Sequence, residues 1–407
     1  MVFYETPPFG RITNVQWLRT GMMGGGTGYQ SSTAIDLVKF NHRTGAVEAQ
    51  ISSIGKYTLG YGVIAACCID YRGNLIVAEF IVNPQPSDFG PTGWTAGRLL
   101  HKYNSSGGML WSIIPPETSG TYAETIRVPT GVGVDSDNNI YLVENTHVYS
   151  SEPRATVIKF TPEGSQIWSR NPSDDDAFTY GLMTVPSGGC VVAWSDFPPV
   201  SHLTRYDADG VVVWTRTLPG AFMSGTSGTR SISQKPSETH FAACFGSWFT
   251  EVPTTALFSV ETGATLWSQT HGINENHSCD IGGSGDSEAV FVFVVIPEVN
   301  YTFTIEKRSI LTGALLDSVR LGSADRSPQT GYPIICTGTV VVGMRHDHTE
   351  FDVPFVDRWD DYNYYAMCYS QDTLSPQWQK YWGRLSGFMD NEAGPFSALS
   401  VFGRAPA

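Results

Sequence analysis

A hairpin with a glycine turn recurs along the whole chain, and this repeat constrains the fold more than any other feature of the sequence. Its clearest copy is a strand at 155–160 (Ala-Thr-Val-Ile-Lys-Phe), a turn at 161–164 (Thr-Pro-Glu-Gly) and a strand at 165–169 (Ser-Gln-Ile-Trp-Ser). Successive turn glycines lie roughly 45 to 65 residues apart, which is the length of one four-stranded propeller blade. The turn glycines are Gly45, Gly108, Gly164, Gly210, Gly263 and Gly313.

A second hairpin precedes most copies of the first. One example is a strand at 131–135, a polar turn, and a strand at 139–143 (Asn-Ile-Tyr-Leu-Val). Each unit therefore contains four short strands, named a to d here, with tight turns between a and b and between c and d. A seventh, weaker c–d hairpin spans 365–382 and has Pro376 in place of the glycine. The sequence predicts an all-β fold, a seven-bladed β-propeller of four-stranded antiparallel blades.

The two ends of the chain predict how this ring closes. The first c–d hairpin is preceded by one strand only, Ile12 to Leu18, which fits position b. The last strand-like segment, Phe396 to Phe402, has no hairpin partner of its own and fits position a. We expect a single propeller domain over residues 1–407, whose first blade combines residues from about 12 to 54 with residues 396–402.

The composition of the chain argues against some classes of binding partner. Apolar residues make up 41% of the chain and charged residues 16%, which suits a packed core. The net charge is −14 and no Lys/Arg cluster is present, which argues against nucleic acid and anionic membrane surfaces. No apolar stretch reaches the length of about 18 residues needed to cross a bilayer. The start of the chain lacks the pattern of a secretory signal, so we expect cytoplasmic synthesis. Five cysteines lie in apolar, strand-like runs and are expected to be buried, reduced thiols: Cys67, Cys68, Cys190, Cys244 and Cys336.

Two segments carry a resemblance to known propeller repeats. Residues 257–267 (Leu-Phe-Ser-Val-Glu-Thr-Gly-Ala-Thr-Leu-Trp) resemble the quinoprotein-type repeat, in which a Thr-Gly turn is followed by a strand ending in Trp. Residues 131–143 resemble the Asp-x-x-Gly-Asn-x-Tyr strand pair of other propeller repeats. The resemblance covers most of the chain and implies the fold only, because propellers host many functions.

The adjacent pair Cys67-Cys68 is similar to the vicinal disulfide of quinoprotein dehydrogenases. That family uses pyrroloquinoline quinone with Ca²⁺. This chain is short for the family and places the pair in a strand rather than in a ligand pocket. We therefore expect no cofactor, and a quinone-dependent dehydrogenase is a remote alternative.

The b–c loops are long and varied, whereas the a–b and c–d turns are uniformly short. Long loops on a rigid scaffold commonly carry binding, and exposed aromatic residues are efficient anchors. The candidate interaction residues on these loops are Trp94, Trp248, Phe249, Phe355, Trp359 and Tyr362. The alternative for each of them is that it folds back over the blades. The opposite side is expected to offer mainly backbone and small polar groups.

Sequence motifs for metal binding or catalysis are weak. His346 and His348 with Asp352 could bind a transition metal, but their spacing matches no known metal loop, and a solvated acidic loop is favoured. The segment from Asp135 to Asn139 lacks the glycine and glutamate of a calcium loop and predicts a side-chain-bonded turn. The nucleophile elbow, the zinc-protease motif and the phosphate loop are absent, so we assign no catalytic residue.

These features favour a non-catalytic structural or adaptor propeller that contacts other proteins within a larger assembly. Reduced cysteines, the missing export signal and irregular blades resemble virion proteins of tailed phages, some of whose tail components are propellers. The alternative is a carbohydrate-binding or carbohydrate-active propeller, in which loop aromatics stack on a glycan and carboxylates come from different blades. Convergent carboxylates at the central axis would favour this alternative.

Overall fold

A computed structural model describes most of the repeat region and short segments at both ends. The described residues are 3–4, 15–20, 35–41, 47–54, 61–82, 98–113, 125–148, 151–173, 177–196, 200–220, 222, 231–233, 237–246, 253–272, 276–283, 285–297, 301–324, 330–336, 339–346, 349–350, 363–382 and 401–402. Their regular structure is β-strand, apart from one 3-10 turn at Gly285–Ser287. The described part of the chain is therefore all-β.

The strands are numbered β1 to β29 in chain order. Strands β1 to β12 are Phe3–Tyr4, Val15–Thr20, Ile35–Asn41, Val47–Ile54, Tyr61–Ile69, Leu75–Val82, Arg98–Tyr103, Met109–Ile113, Thr125–Val134, Ile140–Val148, Ser151–Phe160 and Gln166–Arg170. Strands β13 to β21 are Ala177–Thr184, Cys190–Asp196, Ser201–Tyr206, Val212–Thr217, His240–Phe245, Thr254–Ser259, Thr265–Thr270, Asn276–Gly282 and Ala289–Pro297. Strands β22 to β29 are Tyr301–Ser309, Leu315–Ala324, Thr330–Cys336, Thr339–His346, Thr349–Glu350, Asn363–Ser370, Pro376–Trp382 and Val401–Phe402.

These strands form a succession of antiparallel sheets, numbered I to VII in chain order. Sheets II, III, IV and VII are four-stranded and contain β5–β8, β9–β12, β13–β16, and β24, β25, β27 and β28. Sheets I and V are three-stranded, with β2–β4 and β17–β19, and sheet VI joins β20–β23 to β26. In sheet V, Ile232 forms a bridge with Ala243 and so occupies the place of strand a. The predicted order a-b-c-d is confirmed in the four-stranded sheets.

Successive sheets pack against one another through their first strands. Strand a of sheet II contacts strand a of sheet III, and the same contact joins sheets III and IV and sheets VI and VII. Buried apolar side chains fill the space between successive sheets: Leu75 with Phe160, Val143 with Trp194, Leu203 with Phe258, and Cys244 with Val292. Strand d lies at the opposite edge of each four-stranded sheet. This arrangement supports a β-propeller fold.

Two details of the repeat differ from the sequence prediction. In sheet II, Gly107 rather than Gly108 adopts the left-handed conformation, with φ 88°. In sheet VII, Leu374 takes this place with φ 47°, so Pro376 does not stand for the turn glycine. In this hairpin the strand d residue that corresponds to Trp168 of sheet III is Trp378, which pairs with Cys368. The turn tolerates leucine at a cost in backbone strain, which sequence patterns do not reveal.

The predicted closing strand pairs elsewhere. Of residues 396–402 the structure describes Val401–Phe402, which pairs in parallel with Phe3–Tyr4 in a separate two-stranded sheet. Strand β2, which contains the described part of Ile12 to Leu18, pairs with β3. The prediction that residues 396–402 lie beside residues 12–18 is wrong for these described residues. The N-terminal segment supplies a further backbone edge, and the C-terminal strand hydrogen-bonds to that edge instead.

Candidate interaction surface

A recurring contact, called the joint, connects the c–d turns of sheets III to VI to the preceding sheet. Between sheets III and IV, Nε1 of Trp168 donates a hydrogen bond to the carbonyl of Ala208 at 3.0 Å. Nζ of Lys159, on strand c of sheet III, donates to the same carbonyl at 2.9 Å. The indole covers Gly210, where an added Cβ would lie 2.9 Å from the ring. The tryptophan therefore requires glycine in the next turn.

The same joint recurs along the chain. It joins Trp111 and Lys102 to Pro162, Trp214 and Arg205 to Val260, and Trp267 to Ile310. At these positions the tryptophan packs between neighbouring sheets. In sheet VI the tryptophan position is Asp317, and the next turn has Leu374 instead of glycine. The indole and the next turn glycine are both absent here, whereas sheet I has Ala49 at the tryptophan position and the next turn keeps Gly107.

The short turns lie on one side of the sheets, as predicted. Nζ of Lys102 contacts the carboxylate of Asp70 in the a–b turn of its own sheet at 2.8 Å. It also reaches the carbonyl of Pro162 in the c–d turn of the next sheet at 3.3 Å. Both charged side chains are buried. A buried ion pair with additional hydrogen bonds fixes the geometry on this side, which we call the short-turn side.

Large exposed apolar side chains are concentrated on the short-turn side. Ten of the eleven such residues in the described part lie in a c–d turn or at the start of a strand d. We call this set the edge patch: Met109, Leu110, Ile167, Val211, Val212, Val213, Leu266, Leu311, Leu315 and Leu316. Scattered exposed apolar residues are normal in a folded protein, but here they recur at one structural position of successive sheets. The expectation that this side offers mainly backbone and small polar groups is wrong.

A β-bulge at the start of strand d explains the exposure. In sheet III, Lys159 pairs with Trp168 and Phe160 pairs with Gln166, so Ile167 has no cross-strand partner. Two consecutive residues then face solvent before the buried tryptophan, and Ile167 is 50% exposed. The register skips one residue at the equivalent place in all seven sheets of the described part. Bulges commonly redirect side chains in this way.

Acidic residues flank the edge patch. The c–d turns of sheets III, IV and V each carry an exposed carboxylate: Glu163, Asp209 and Glu261. Two arginines of strands d lie against the next c–d turn: Nε of Arg170 donates to the carbonyl of Gly210 at 3.0 Å, and Nη1 of Arg216 donates to that of Gly263 at 2.8 Å. The surface therefore combines exposed apolar side chains with exposed carboxylates.

The predicted loop residues fall outside the described structure. These are Trp94, Trp248, Phe249, Phe355, Trp359, Tyr362, His348 and Asp352. His346 ends strand β25, and only its backbone is described. Whether these residues form an interaction face stays a prediction.

The ends of the strands beside the short b–c connection of sheet IV are held together by side-chain contacts. The His202 ring stacks on Trp194 with centroids 4.2 Å apart. Its Nε2 lies 3.3 Å from Oδ2 of Asp196, and its Nδ1 lies 3.2 Å from the hydroxyl of Thr217. His202 is directly opposite Trp194 and Thr217 in the sheet register. These contacts form a cross-strand ladder that holds the ends of three strands.

The turn from Asp135 to Asn139 is side-chain-bonded, as predicted. The carboxylate of Asp135 accepts the backbone N–H groups of Asp137 and Asn139 and the hydroxyl of Tyr141, the last at 3.0 Å. Burial, and then the charge of Asp135, raise the pKa of Tyr141 above its ordinary value. No group of three metal-ligating side chains occurs among the described residues. Helices long and apolar enough to cross a membrane are likewise absent from that part of the chain.

The described cysteines agree with the expectation of buried thiols. Cys68, Cys190 and Cys244 are buried, and Cys190 and Cys244 are free thiols. Cys67 and Cys336 lie in strands β5 and β24, and their side chains are outside the described part.

Comparison with known proteins shows resemblance in fold only. No family model and no curated relative matches the chain. Similar solved structures include the WD40 domain of SCAP from fission yeast, at 11% identity and a TM-score of 0.45, covering 94% of this chain and 91% of that chain. The polysaccharide lyase Uly1 shares 11% identity with a TM-score of 0.48, over 91% and 90% of the two chains. Quinohemoprotein alcohol dehydrogenase ADHIIG from Pseudomonas putida HK5 shares 10% identity with a TM-score of 0.49, over 98% and 67%.

Proposed function

We propose that this chain is a non-catalytic adaptor or structural propeller that binds other proteins through the edge patch. The observation that carries the proposal is the repetition of exposed apolar side chains at one bulged position in five successive sheets, II to VI. Apolar side chains at this position are exposed to water unless a partner protein covers them. A larger assembly, such as a virion, would supply such partners.

The scaffold in this proposal is one seven-bladed propeller over residues 1–407. The seven antiparallel sheets and the succession of strand a contacts support it. Phe3–Tyr4 contacts both β2 of sheet I and β24 of sheet VII, which supports closure of the ring between these two sheets. Equivalent edge positions would then point outward around the ring.

The partner in this proposal presents apolar side chains together with Lys or Arg. Complete burial of a Leu or Ile side chain contributes about 1.5–3 kcal/mol, so covering three half-exposed members of the patch contributes on the order of 3 kcal/mol. The exposed carboxylates of Glu163, Asp209 and Glu261, and the net charge of −14, attract a basic partner. Affinity for such a partner falls as salt concentration rises.

Selection of displayed peptides against the purified protein tests this proposal. The selected peptides should be apolar and basic, and their affinity is measured by fluorescence anisotropy. The test variant combines Ile167→Lys, Val213→Lys and Leu266→Lys, which should weaken binding at least tenfold. The matched control places lysine at exposed polar residues of the same strands, Ser169→Lys, Thr215→Lys and Ser268→Lys, and should bind nearly as the parent does.

The loop face provides the competing outcome. If the selected peptides bind the lysine variant of the patch normally but lose affinity in Trp94→Ala, Trp248→Ala or Trp359→Ala, the binding face is the loop side and the proposal is wrong. A glycan array with the parent protein examines the carbohydrate alternative. Glycan binding lost in the same tryptophan variants would favour that alternative over a protein adaptor.

A further inference from the structure

Two cysteine thiols from neighbouring sheets meet in the core between sheets V and VI. Cys244 lies on β17, strand b of sheet V, and Cys279 lies on β20, strand a of sheet VI. Both are buried and free. Ala242 and Cys244 alternate on one strand, Cys279 and Ile281 alternate on the other, and all four belong to one packed cluster. The two strand faces that carry the thiols therefore pack against each other.

Sγ of Cys244 lies 3.5 Å from Oγ1 of Thr255. A hydrogen bond with Cys244, together with burial, raises the pKa of the Cys279 thiol well above its ordinary value. The thiolate, which is the reactive form, is therefore scarce at neutral pH. Reduced protein should withstand air and mild handling, and oxidation needs a reagent small enough to reach the core.

We propose that Cys244 and Cys279 form a site of oxidative modification, at which a two-electron thiol oxidant creates a disulfide joining sheets V and VI. Both S–H bonds break, one S–S bond forms, and two electrons and two protons pass to the oxidant. A diazene such as diamide becomes the hydrazide, and hydrogen peroxide becomes two water molecules. This modification is independent of the edge patch and goes beyond the proposed function.

The disulfide would connect two consecutive units of the repeat. The disulfide would close a chain segment of about 35 residues and so reduce the conformational entropy of the unfolded chain. If the geometry of the disulfide is unstrained, the Tm should rise by roughly 5 °C. The sheets on either side are then held covalently as well as by the joint of Trp267 with Ile310.

Intact mass and peptide mapping test the proposal. The native protein is treated with diamide, and in parallel the denatured protein is refolded in a glutathione redox buffer at pH 8, where the thiols are accessible during folding. We expect a mass lower by two hydrogens and a mapped Cys244–Cys279 peptide pair. Cys244→Ala and Cys279→Ala should each abolish this pair and the rise in Tm. The matched control is Cys190→Ala, which removes another buried thiol and should leave both unchanged.

Three outcomes would overturn the proposal. The first is that neither route yields a bond between Cys244 and Cys279. The second is that the mass loss maps to other cysteines, and the third is that the loss of two hydrogens on oxidation persists in Cys279→Ala.

Discussion

Replacing the joint tryptophans by phenylalanine separates ring packing from hydrogen bonding. Trp168 is 7% exposed, and phenylalanine at this position keeps most of its packing but removes the donor to the Ala208 carbonyl. Lys159 still donates to that carbonyl, so Trp168→Phe should lower the free energy of unfolding by only about 1–2 kcal/mol. Trp168→Ala removes the ring and leaves a cavity, which should cost about 3–5 kcal/mol.

Sheet V provides a sharper comparison. Its strand c has Leu257 opposite Trp267, where the neighbouring sheets have lysine or arginine. The carbonyl of Ile310 accepts from Trp267 at 2.8 Å, and no second donor to it occurs within the described residues. Trp267→Phe should leave this carbonyl unpaired and cost about 1–3 kcal/mol more than Trp168→Phe.

Urea denaturation followed by circular dichroism measures these differences. The expected order of destabilisation is Trp168→Ala greatest, Trp267→Phe intermediate and Trp168→Phe smallest. A loss for Trp267→Phe equal to or smaller than that for Trp168→Phe would refute the role of the shared carbonyl.

Three further predictions concern the turns and the buried polar groups. Gly210→Ala should destabilise the protein more than Gly107→Ala. Both glycines have positive φ (76° and 88°), but within the described residues an indole ring of the joint covers only Gly210. Equal shifts in Tm for the two variants would contradict this. Lys102→Met should cost about 3–5 kcal/mol by leaving buried Asp70 without its cation, and the double variant with Asp70→Asn should recover part of that loss in urea denaturation. The free energy of unfolding should fall above about pH 10, because the phenol of Tyr141 ionises at that pH in the unfolded chain but stays protonated in the folded protein. The urea midpoint of Tyr141→Phe should therefore fall less steeply with pH than that of the parent protein.

The sequence predicted the hairpins well because each leaves a local signature. The c–d hairpin of sheet III was readable from its turn glycine and from Trp168, since both residue types are required by close contacts at the joint. The closing strand was not predictable in this way. Pairing of Val401–Phe402 with Phe3–Tyr4 is a contact between chain ends, with no local pattern to record it.

The edge patch was missed for a different physical reason. A pattern such as Gln166-Ile167-Trp168 reads as a strand that buries its apolar residues, because sequence alone does not show a bulge. One extra residue in strand d reverses the orientation of Ile167 and brings it to the surface. The aromatic loop residues had the clearer sequence signal, and their role as an interaction face stays a prediction.

Hydrogen–deuterium exchange with a bound, selected peptide tests the role of the edge patch most directly. The peptide should slow amide exchange in the patch-bearing segments 109–113, 166–170, 211–217 and 265–270, and the lysine variant of the patch should lose this protection. Protection confined to the loop segments 83–97, 246–253 and 345–364 would contradict the proposed function.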